Sequence, residues 1–229
     1  MLKEIYIVRH GYRMDWENPG SLSPTQLPHD PELFTIGKQQ AAETAEFFRD
    51  KPITAIYSSP FYRCIESAKP TANALSKPIC IEYGIGEWYG TTRDFYPLPA
   101  KIDRLKELFP EIDTSYVPVL SAPTGSETMR EVHERVQLAM DKLVQNLDTQ
   151  HERVALFGHA ASVICCVRAL LGDWNFYVNA GTCSISKLER TEEGKWNLLT
   201  NGSTEHLSQG NLRSWMFSGD IPSYEVRGQ

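Results

Sequence analysis

Three short apolar runs constrain the fold of this 229-residue chain more than any other feature. The first, at residues 5–8, reads Ile-Tyr-Ile-Val without a polar break, and further apolar runs occupy residues 53–57 and 154–157. A strand with one face in water alternates polar and apolar side chains, whereas a strand covered on both faces does not. The runs therefore predict strands buried inside a layered structure, and a chain of this length can bury a sizeable core.

The segments between these runs have the patterns of helices. Between residues 126 and 147 apolar side chains recur every three or four positions, as they do in a helix that packs one face on a core. Further helices are predicted at 35–49 with Thr35 as the N-cap, at 61–75 where Pro70 should kink or divide the helix, and at 160–171.

The remaining segments are predicted as short strands and irregular chain. The strands are a short one at 79–82 and an antiparallel pair at 183–188 and 196–200. The irregular parts are a loop at 13–33, an insertion at about 84–125 with one or two helical turns near 102–109, and the last twenty residues. Because strands alternate with helices, we predict an α/β fold of three layers, with a mostly parallel central sheet and helices on both faces. We expect one domain over residues 1–229.

The buried strands end in residues that are suited to chemistry. Arg9-His10-Gly11 follows the first run, the segment 58–63 that ends in Arg63 follows the second, and Gly158-His159 follows the third. In open α/β sheets, ligands bind at the carboxyl ends of parallel strands. The sequence therefore predicts a site at one edge of the sheet, where the two histidines meet.

The cations at this predicted edge indicate an anionic ligand. Guanidinium groups of Arg9, Arg13 and Arg63 would repel one another in one crevice unless an anion lay between them, and their planar donors suit phosphate. A neutral histidine beside a bound phosphate is a competent nucleophile. Phosphoryl transfer otherwise needs positioning and charge stabilisation, which arginines and a second histidine can supply.

Composition and motifs argue against several other classes of function. The net charge of −6 gives no overall basic field, so we predict no direct nucleic-acid binding, and no apolar run is long enough to span a membrane. The spacings of a His-Glu-x-x-His metal site, a Cys-x₅-Arg phosphatase loop and a Walker phosphate loop are all missing. We therefore predict no metal and no cofactor. The five cysteines form no Cys-x-x-Cys pair and there is no signal peptide, which favours an intracellular protein with reduced thiols.

Six sequence blocks in a fixed order resemble the histidine phosphatase superfamily, the phosphoglycerate mutase-like group. They are Arg9-His10-Gly11, "FTIGKQQA", "SSPFYRCIESAKPTANAL", "GIGEWY", "LFGHAASV" and "NGSTEHL". The resemblance implies that His10 is the phosphorylated nucleophile and that Glu87 is the proton donor to the leaving group. It further implies that the phosphate is bound by Arg9, Arg13, Arg63 and His159, with His159 also stabilising the transfer.

Departures from the family pattern narrow the predicted activity. Mutases usually carry Glu or Gln and then Ser or Thr after the triplet, whereas this chain has Tyr12 and Arg13. Acid phosphatases carry Pro at the position of Asp15 and are exported. The sequence is most similar to two other groups, the TULA/Sts phosphotyrosine phosphatases and, more closely, the histidine-phosphatase subunit of transcription factor TFIIIC.

Two kinds of function follow from this resemblance. One is a metal-independent phosphomonoesterase that acts on a phosphate ester, for example phosphotyrosine, either inside TFIIIC or as a stand-alone enzyme. The other is a scaffold subunit of TFIIIC in RNA polymerase III transcription, with catalysis weak or vestigial. The link to TFIIIC implies a nuclear location and other TFIIIC subunits as partners.

Two aromatic groups in the sequence have two open interpretations. One lies in the insertion and the other near the C-terminus, and their members are Trp88, Tyr89, Phe95 and Tyr96, and Trp215, Met216 and Phe217. They could be exposed anchors for a partner, or they could pack on the rest of the domain.

Overall fold

A computed structural model describes residues 1–92 and 95–220. Its strands are β1 (Glu4–Arg9), β2 (Ala55–Ser58), β3 (Ile79–Ile81), β4 (Arg153–Gly158), β5 (Ile185–Arg190) and β6 (Trp196–Ser203). Its α-helices are α1 (Thr35–Phe48), α2 (Tyr62–Leu75), α3 (Ile102–Leu108), α4 (Met129–Leu147) and α5 (Ala160–Leu171), and single 3₁₀ turns lie at Met14–Trp16 and Tyr83–Ile85.

The strands form one six-stranded sheet in the order β3-β2-β4-β1-β5-β6. The first four of these are mutually parallel, and β5 and β6 add an antiparallel pair at one side. In the centre of the sheet, Ile7 of β1 lies between Leu156 of β4 and Ser186 of β5. The prediction of a mostly parallel sheet is confirmed, and so is the antiparallel pair.

The sheet separates two hydrophobic cores. On one face, α4 and α5 pack on the side chains of Ile5, Ile7 and Leu156. On the other face, α1, α2 and α3 pack on side chains that include Val8 and Phe157. Neighbouring residues of β1 and β4 thus serve opposite cores, which explains why these strands have no polar alternation. The predicted three-layer arrangement is confirmed.

Several predicted helix boundaries need correction. Thr35 is the first residue of α1 rather than its cap, since Phe34 holds the extended N-cap conformation. α2 continues through Pro70 without division, because its apolar side chains at Ile65 and Ala72 pack into the core on both sides of the proline. α4 begins at Met129, later than predicted, because Thr128 and Glu131 form a reciprocal capping box there.

The insertion at 84–125 has little regular structure, as predicted, but it is firmly attached to the sheet. α3 lies inside it, and Leu105 of that helix is fully buried. The buried carboxylate of Glu82, which lies between β3 and the insertion, accepts hydrogen bonds from Gly84 N, the Tyr116 hydroxyl and Val119 N. Backbone amides that would otherwise lack partners are therefore satisfied by one side chain.

The chain after β6 is irregular up to Asp220, as predicted, and the prediction for residues 221–229 lies outside the described residues. Within its described part Phe217 is buried, as is Tyr96 of the insertion, whereas Phe95 is exposed. Packing on the domain is therefore the correct interpretation for Tyr96 and Phe217. Within residues 1–92 and 95–220, no helix has both the length and the apolar character that a membrane span requires.

Candidate active site

Three parallel strands bring the predicted site residues to one edge of the sheet. Arg9 at the end of β1 pairs with Gly158 at the end of β4, and Ser58 at the end of β2 pairs with Phe157. The residues that follow these ends therefore converge, and the rings of His10 and His159 lie 5.5 Å apart between centroids. The predicted meeting of the two histidines is confirmed by this geometry.

His10 is held in one tautomer. Its Nδ1 lies 2.8 Å from the carbonyl oxygen of Gly11, which can only accept, so Nδ1 carries the hydrogen and Nε2 has a free lone pair. The side chain is 1% exposed. Burial, together with the charges of Arg9 and Arg63, holds the pKa of His10 well below its ordinary value. The ring is therefore a neutral base at neutral pH.

Two helices position the turn that carries His10. Gly11 N donates to the hydroxyl of Ser67 on α2 at 2.9 Å, and Tyr12 N donates to Gln40 of α1 at 3.0 Å. Gly37 of α1 packs directly on the turn, since a Cβ there would lie 2.2 Å from the Tyr12 carbonyl oxygen. The predicted site turn therefore depends on a glycine contact between α1 and the end of β1.

His159, Glu87 and Arg63 form a buried ionic cluster behind His10. Oε2 of Glu87 accepts from Arg63 Nη2 at 3.0 Å and lies 3.1 Å from Nδ1 of His159. Because an ionised carboxylate can only accept, the neutral His159 ring has its hydrogen on Nδ1, and its Nε2 then accepts from the Ser59 hydroxyl at 2.7 Å. An incoming phosphate would have to share Arg63 and His159 with the Glu87 carboxylate, or displace it.

The charges of this cluster follow from its contacts. Burial lowers the pKa of His159 to about 4, although the carboxylate of Glu87 opposes that change. Burial alone would raise the pKa of Glu87, but its contacts with His159 and Arg63 hold it well below the ordinary value. At neutral pH, His159 is thus neutral and Glu87 is ionised.

Arg9 and Arg63 keep unused hydrogen-bonding capacity. Arg9 donates from Nη1 to the carbonyl oxygens of Ala180 and Arg213, and burial followed by the charges of Arg13 and Arg63 lowers its pKa to about 10. Among the described residues, the buried Nε atoms of both arginines have no hydrogen-bond partner. Because unpaired buried donors are costly, each of these Nε atoms would be stabilised by an acceptor such as a phosphate oxygen.

Arg13 is placed differently from the other two arginines. It borders the same cavity, but its guanidinium forms a two-pronged ion pair with Asp15, with Nε 2.9 Å from Oδ1, and lies over the ring of Trp16. Its charge is therefore partly compensated before any ligand binds. Asp15 occupies the position where acid phosphatases carry proline. In this chain the aspartate at that position forms an ion pair with Arg13.

The loop that carries Glu87 is clamped from α4. Arg135 donates to the carbonyl oxygens of Gly84, Gly86 and Glu87 at 2.8, 3.3 and 3.3 Å, and it forms a bidentate ion pair with Glu127. Glu127 in turn accepts from the Trp88 indole through its carbonyl oxygen at 2.8 Å. These bonds fix the backbone on both sides of the carboxylate, so Glu87 has a defined direction.

A cavity of about 530 Å³ lies against His10 and Glu87, while Arg63 and His159 lie behind its lining. Its charged lining is Arg9, Arg13 and Glu87, and the neutral ring of His10 lies beside them. The start of α5 contributes Ala160 and Ala161, whose backbone N–H groups have no partner within the helix by geometry. The remaining wall is mainly aromatic, with Trp16, Trp88, Tyr89 and Trp215 beside Gly90 and Thr92. A second cavity of similar volume, beside β3 and the end of α4, has no arginine or lysine in its lining. Of these two cavities, the one at His10 is the better suited to a phosphate ester.

The same side chains also form a possible cation site. His10, Glu87 and His159 each offer one ligand atom, and these atoms lie within 4.8 Å of one another. Sequence spacing did not indicate this group, because its members come from three distant segments. The surrounding guanidiniums of Arg9 and Arg63 disfavour a cation and favour an oxyanion. The absence of a metal remains a prediction.

Sequence reasoning missed several residues that hold the site together. They are Ser59, Ser67, Arg135 and Arg213. Arg135 had a usable signal, since it lies three positions after Val132 on the apolar stripe of α4, where a charged side chain needs a buried partner. Arg213 had none, because its backbone oxygen makes the contact with Arg9.

Comparison with known proteins gives two relatives that are similar over nearly all of this chain. The chain is 32% identical to the transcription factor tau 55 kDa subunit of Saccharomyces cerevisiae, over 95% of this chain and 59% of that protein. It is 27% identical to ubiquitin-associated and SH3 domain-containing protein A of Homo sapiens, over 93% of this chain and 40% of that protein. The chain thus spans only about two fifths to three fifths of the length of these relatives.

The fold itself has been seen in solved structures. The ecdysone phosphate phosphatase of Bombyx mori in complex with tungstate matches with a TM-score of 0.72 at 19% identity, over 98% of this chain and 99% of that one. At this identity the likeness shows the fold alone. The model of the histidine phosphatase superfamily, branch 1, matches residues 5–203, which include all the predicted site residues. The site geometry and this match lead to one assignment: the chain belongs to branch 1 of the histidine phosphatase superfamily.

Proposed function

We propose that this chain is a phosphomonoesterase that works through a phosphohistidine at His10. The observation that carries the proposal is the state of His10, a buried neutral ring whose Nδ1–H is fixed by Gly11 O and whose Nε2 lone pair is free. A nucleophile in this state needs no deprotonation before it attacks. It lies in a cavity with guanidinium groups, where a phosphate would be held and its charge balanced.

The reaction proceeds in two balanced steps. Nε2 of His10 forms a bond to phosphorus while the bond from phosphorus to the ester oxygen breaks, and Glu87 gives that oxygen a proton. Water then attacks the phosphohistidine, the P–N bond breaks, and Glu87 takes the proton that the water loses. The bound phosphate offsets the positive charge that keeps Glu87 ionised, so the pKa of Glu87 rises and it can take up the proton, either from a monoanionic ester or from solvent.

The other site residues stabilise the transferring group. Arg9 and Arg63 offer their unpaired Nε donors, and His159 can donate from Nδ1 once Glu87 moves towards the leaving group. Arg13 contributes a charge that Asp15 partly neutralises, so we assign it a smaller share of phosphate binding. No step requires a metal, and activity should persist in excess chelator.

The aromatic wall of the cavity supports an aryl phosphate, such as phosphotyrosine, as the substrate. Trp16, Trp88 and Tyr89 can pack on a planar leaving group. The similarity to ubiquitin-associated and SH3 domain-containing protein A, a member of the TULA/Sts group, also supports phosphotyrosine as the substrate.

Rapid-quench labelling tests the intermediate. A single turnover with ³²P-labelled aryl phosphate in chelator should leave label on the His10 peptide that is stable in base and lost in acid, as expected for a phosphoramidate. His10→Ala should give no label, whereas the matched control His151→Ala, at a half-buried histidine outside the site, should label normally. Label on another residue would refute the assignment of His10, and label that appears only with added divalent metal would refute the metal-free mechanism.

A second candidate function is favoured by the similarity to the tau 55 kDa subunit. We propose that the protein belongs to a TFIIIC-type assembly for RNA polymerase III and is nuclear, either as a working phosphatase or as a scaffold. The intact cluster of His10, His159 and Arg63 supports retained phosphate binding in either case.

A further inference from the structure

The chain after β6 returns to the active site. Residues 211–220, called the C-terminal strap below, run from the cavity at Trp215 to contacts with His133 of α4 and Arg168 of α5. Trp215 is half-buried and lines the cavity, while Phe217 is 1% exposed and packs on Trp88 and His133, with ring centroids 5.2 and 4.9 Å apart. Adjacent parts of the strap thus have different surroundings, one at the cavity and one in the core.

The strap is attached at both ends. At the cavity end, Arg9 Nη1 donates to the carbonyl oxygen of Arg213 at 2.5 Å, and Trp215 N donates to Ala180 O at 3.3 Å. At the other end, Asp220 accepts from Arg168 at 2.7 Å, and its second oxygen accepts from Phe217 N at 3.1 Å. The Arg168 side chain is only 3% exposed. Its ion pair with Asp220 is therefore poorly solvated, and it holds the end of the strap against α5.

The strap also contacts the loop of the carboxylate. Trp215 contacts Trp88 edge-on and Phe217 contacts it at a tilt, at 6.2 and 5.2 Å between centroids, and Trp88 follows Glu87 directly. Trp215 and Trp16 line the same cavity with Trp88, so three indole groups border the space beyond the phosphate end. A phosphate alone would leave most of the cavity of about 530 Å³ unfilled.

We propose that the strap builds the leaving-group side of the substrate pocket, with Trp215 as a specificity-determining residue for planar aromatic leaving groups. Asp220 and Arg168 act as a positioning pair that holds Trp215 at the cavity. The proposal rests on the proposed phosphatase function and deepens it, since it assigns the part of the ester that lies beyond the phosphate. An aromatic wall stabilises a flat apolar leaving group through ring contacts, and it makes few such contacts with a short polar one.

Binding of non-hydrolysable ligands tests the wall without turnover. Trp215→Ala should weaken benzylphosphonate about tenfold, the size of one good aromatic contact, and leave methylphosphonate within about twofold. Trp215→Phe should keep most of the benzylphosphonate affinity. Trp196→Ala, at a tryptophan on β6 outside the cavity lining, should change neither ligand. Equal weakening of both phosphonates, or of neither, would overturn the role of Trp215.

A second pair of variants tests the positioning role. Asp220→Asn should lower kcat/KM for phenyl phosphate at least about fivefold more than for phosphoserine, mainly through KM. Asp148→Asn is the matched control, since Asp148 also joins an arginine, Arg190 at 2.6 Å, and a backbone amide, but far from the cavity. If Asp220→Asn affects both esters equally, the pair has only a structural role.

These outcomes separate the inference from the phosphatase proposal. A wild-type protein that binds both phosphonates equally and still hydrolyses esters would refute only the strap's role. A protein that discriminates between the phosphonates yet turns over nothing would keep the strap and refute the phosphatase. A protein that binds neither would refute both.

Discussion

The carboxylate of Glu87 partly neutralises the positive charge of the arginines around the site. Its Oε2 contacts Arg63 and His159, and its Oε1 accepts from Trp88 N at 3.0 Å. The side chain is 14% exposed, so the carboxylate still reaches the cavity. A group in this position can exchange a proton with a leaving group once phosphate takes over its contacts with Arg63 and His159.

Glu87→Gln should therefore depend on the leaving group. An alkyl leaving group such as serine needs a proton, so kcat for phosphoserine should fall about 100-fold or more, while kcat for p-nitrophenyl phosphate should fall less than about tenfold. Steady-state rates with both esters measure this difference, and Glu46→Gln, at an exposed glutamate of α1, serves as the control. Equal losses of kcat on the two esters would contradict the assignment of Glu87 as the general acid, and Asp15 would be the next candidate for that role.

At the residue scale, the sequence predicted which groups meet but not how they pair. The strand ends and the family blocks predicted that His10, His159, Arg9 and Arg63 lie together. Parallel strands end at the same edge of the sheet, so the residues that follow their ends lie close to one another. The pairing of Arg13 with Asp15 and of Glu87 with Arg63 depends on side-chain directions in irregular segments. No periodicity determines those directions, so the structure was needed to find them.

At the element scale, α1 controls the shape of the catalytic turn through Gly37. A Cβ at this position would lie 2.2 Å from Tyr12 O and 2.7 Å from Tyr12 N, so backbone, rather than a flexible side chain, would have to move. Gly11 is similarly tight, since its Cβ would lie 2.7 Å from Gly37 O. The block "FTIGKQQA" therefore acts on the site through close packing, and Gln40 from the same block adds a hydrogen bond to the turn.

Gly37→Ala should displace the turn and disturb His10. We expect a loss of about 2 kcal/mol or more in the free energy of unfolding, as for other overpacked sites, and a fall in kcat of at least about tenfold. Denaturant unfolding and turnover of p-nitrophenyl phosphate measure the two effects. Gly125→Ala is the matched control, because a Cβ at Gly125 would have no neighbouring atom within 4 Å and the φ of this residue is not left-handed. Wild-type activity in Gly37→Ala would show that the turn tolerates the shift.

Elements were predicted better than their ends. The apolar runs indicated the buried strands, because coverage on both faces leaves a direct composition signal. The ends differ where local chemistry competes, as with the capping box at Thr128, and where tertiary packing overrides a breaker, as with Pro70. The path of the C-terminal strap had no signal, since its contacts with Arg9, Arg168 and Trp88 are all long-range.

At the scale of the whole molecule, the two proposed functions would use different parts of the protein, the cavity for catalysis and the outer surface for assembly. The predicted site residues gather at one edge of the sheet. Of the two aromatic groups, Tyr96 and Phe217 are buried, while Trp88, Tyr89 and Trp215 line the cavity. The net charge of −6 offers no broad basic surface for nucleic acid. A role in an assembly would therefore rest on protein contacts, and those contacts need not involve His10.

Affinity purification of tagged protein from its own cells tests this separation. If the assembly proposal holds, wild type and His10→Ala should both bring down the same subunits of the RNA polymerase III factor, since a buried histidine that is 1% exposed cannot be a docking contact. Enrichment of those subunits with neither protein would refute the assembly proposal and favour a free-standing phosphatase. Enrichment with His10→Ala alone would also refute it, because a variant that binds phosphate esters but cannot form the phosphohistidine would be trapping a substrate rather than joining a complex.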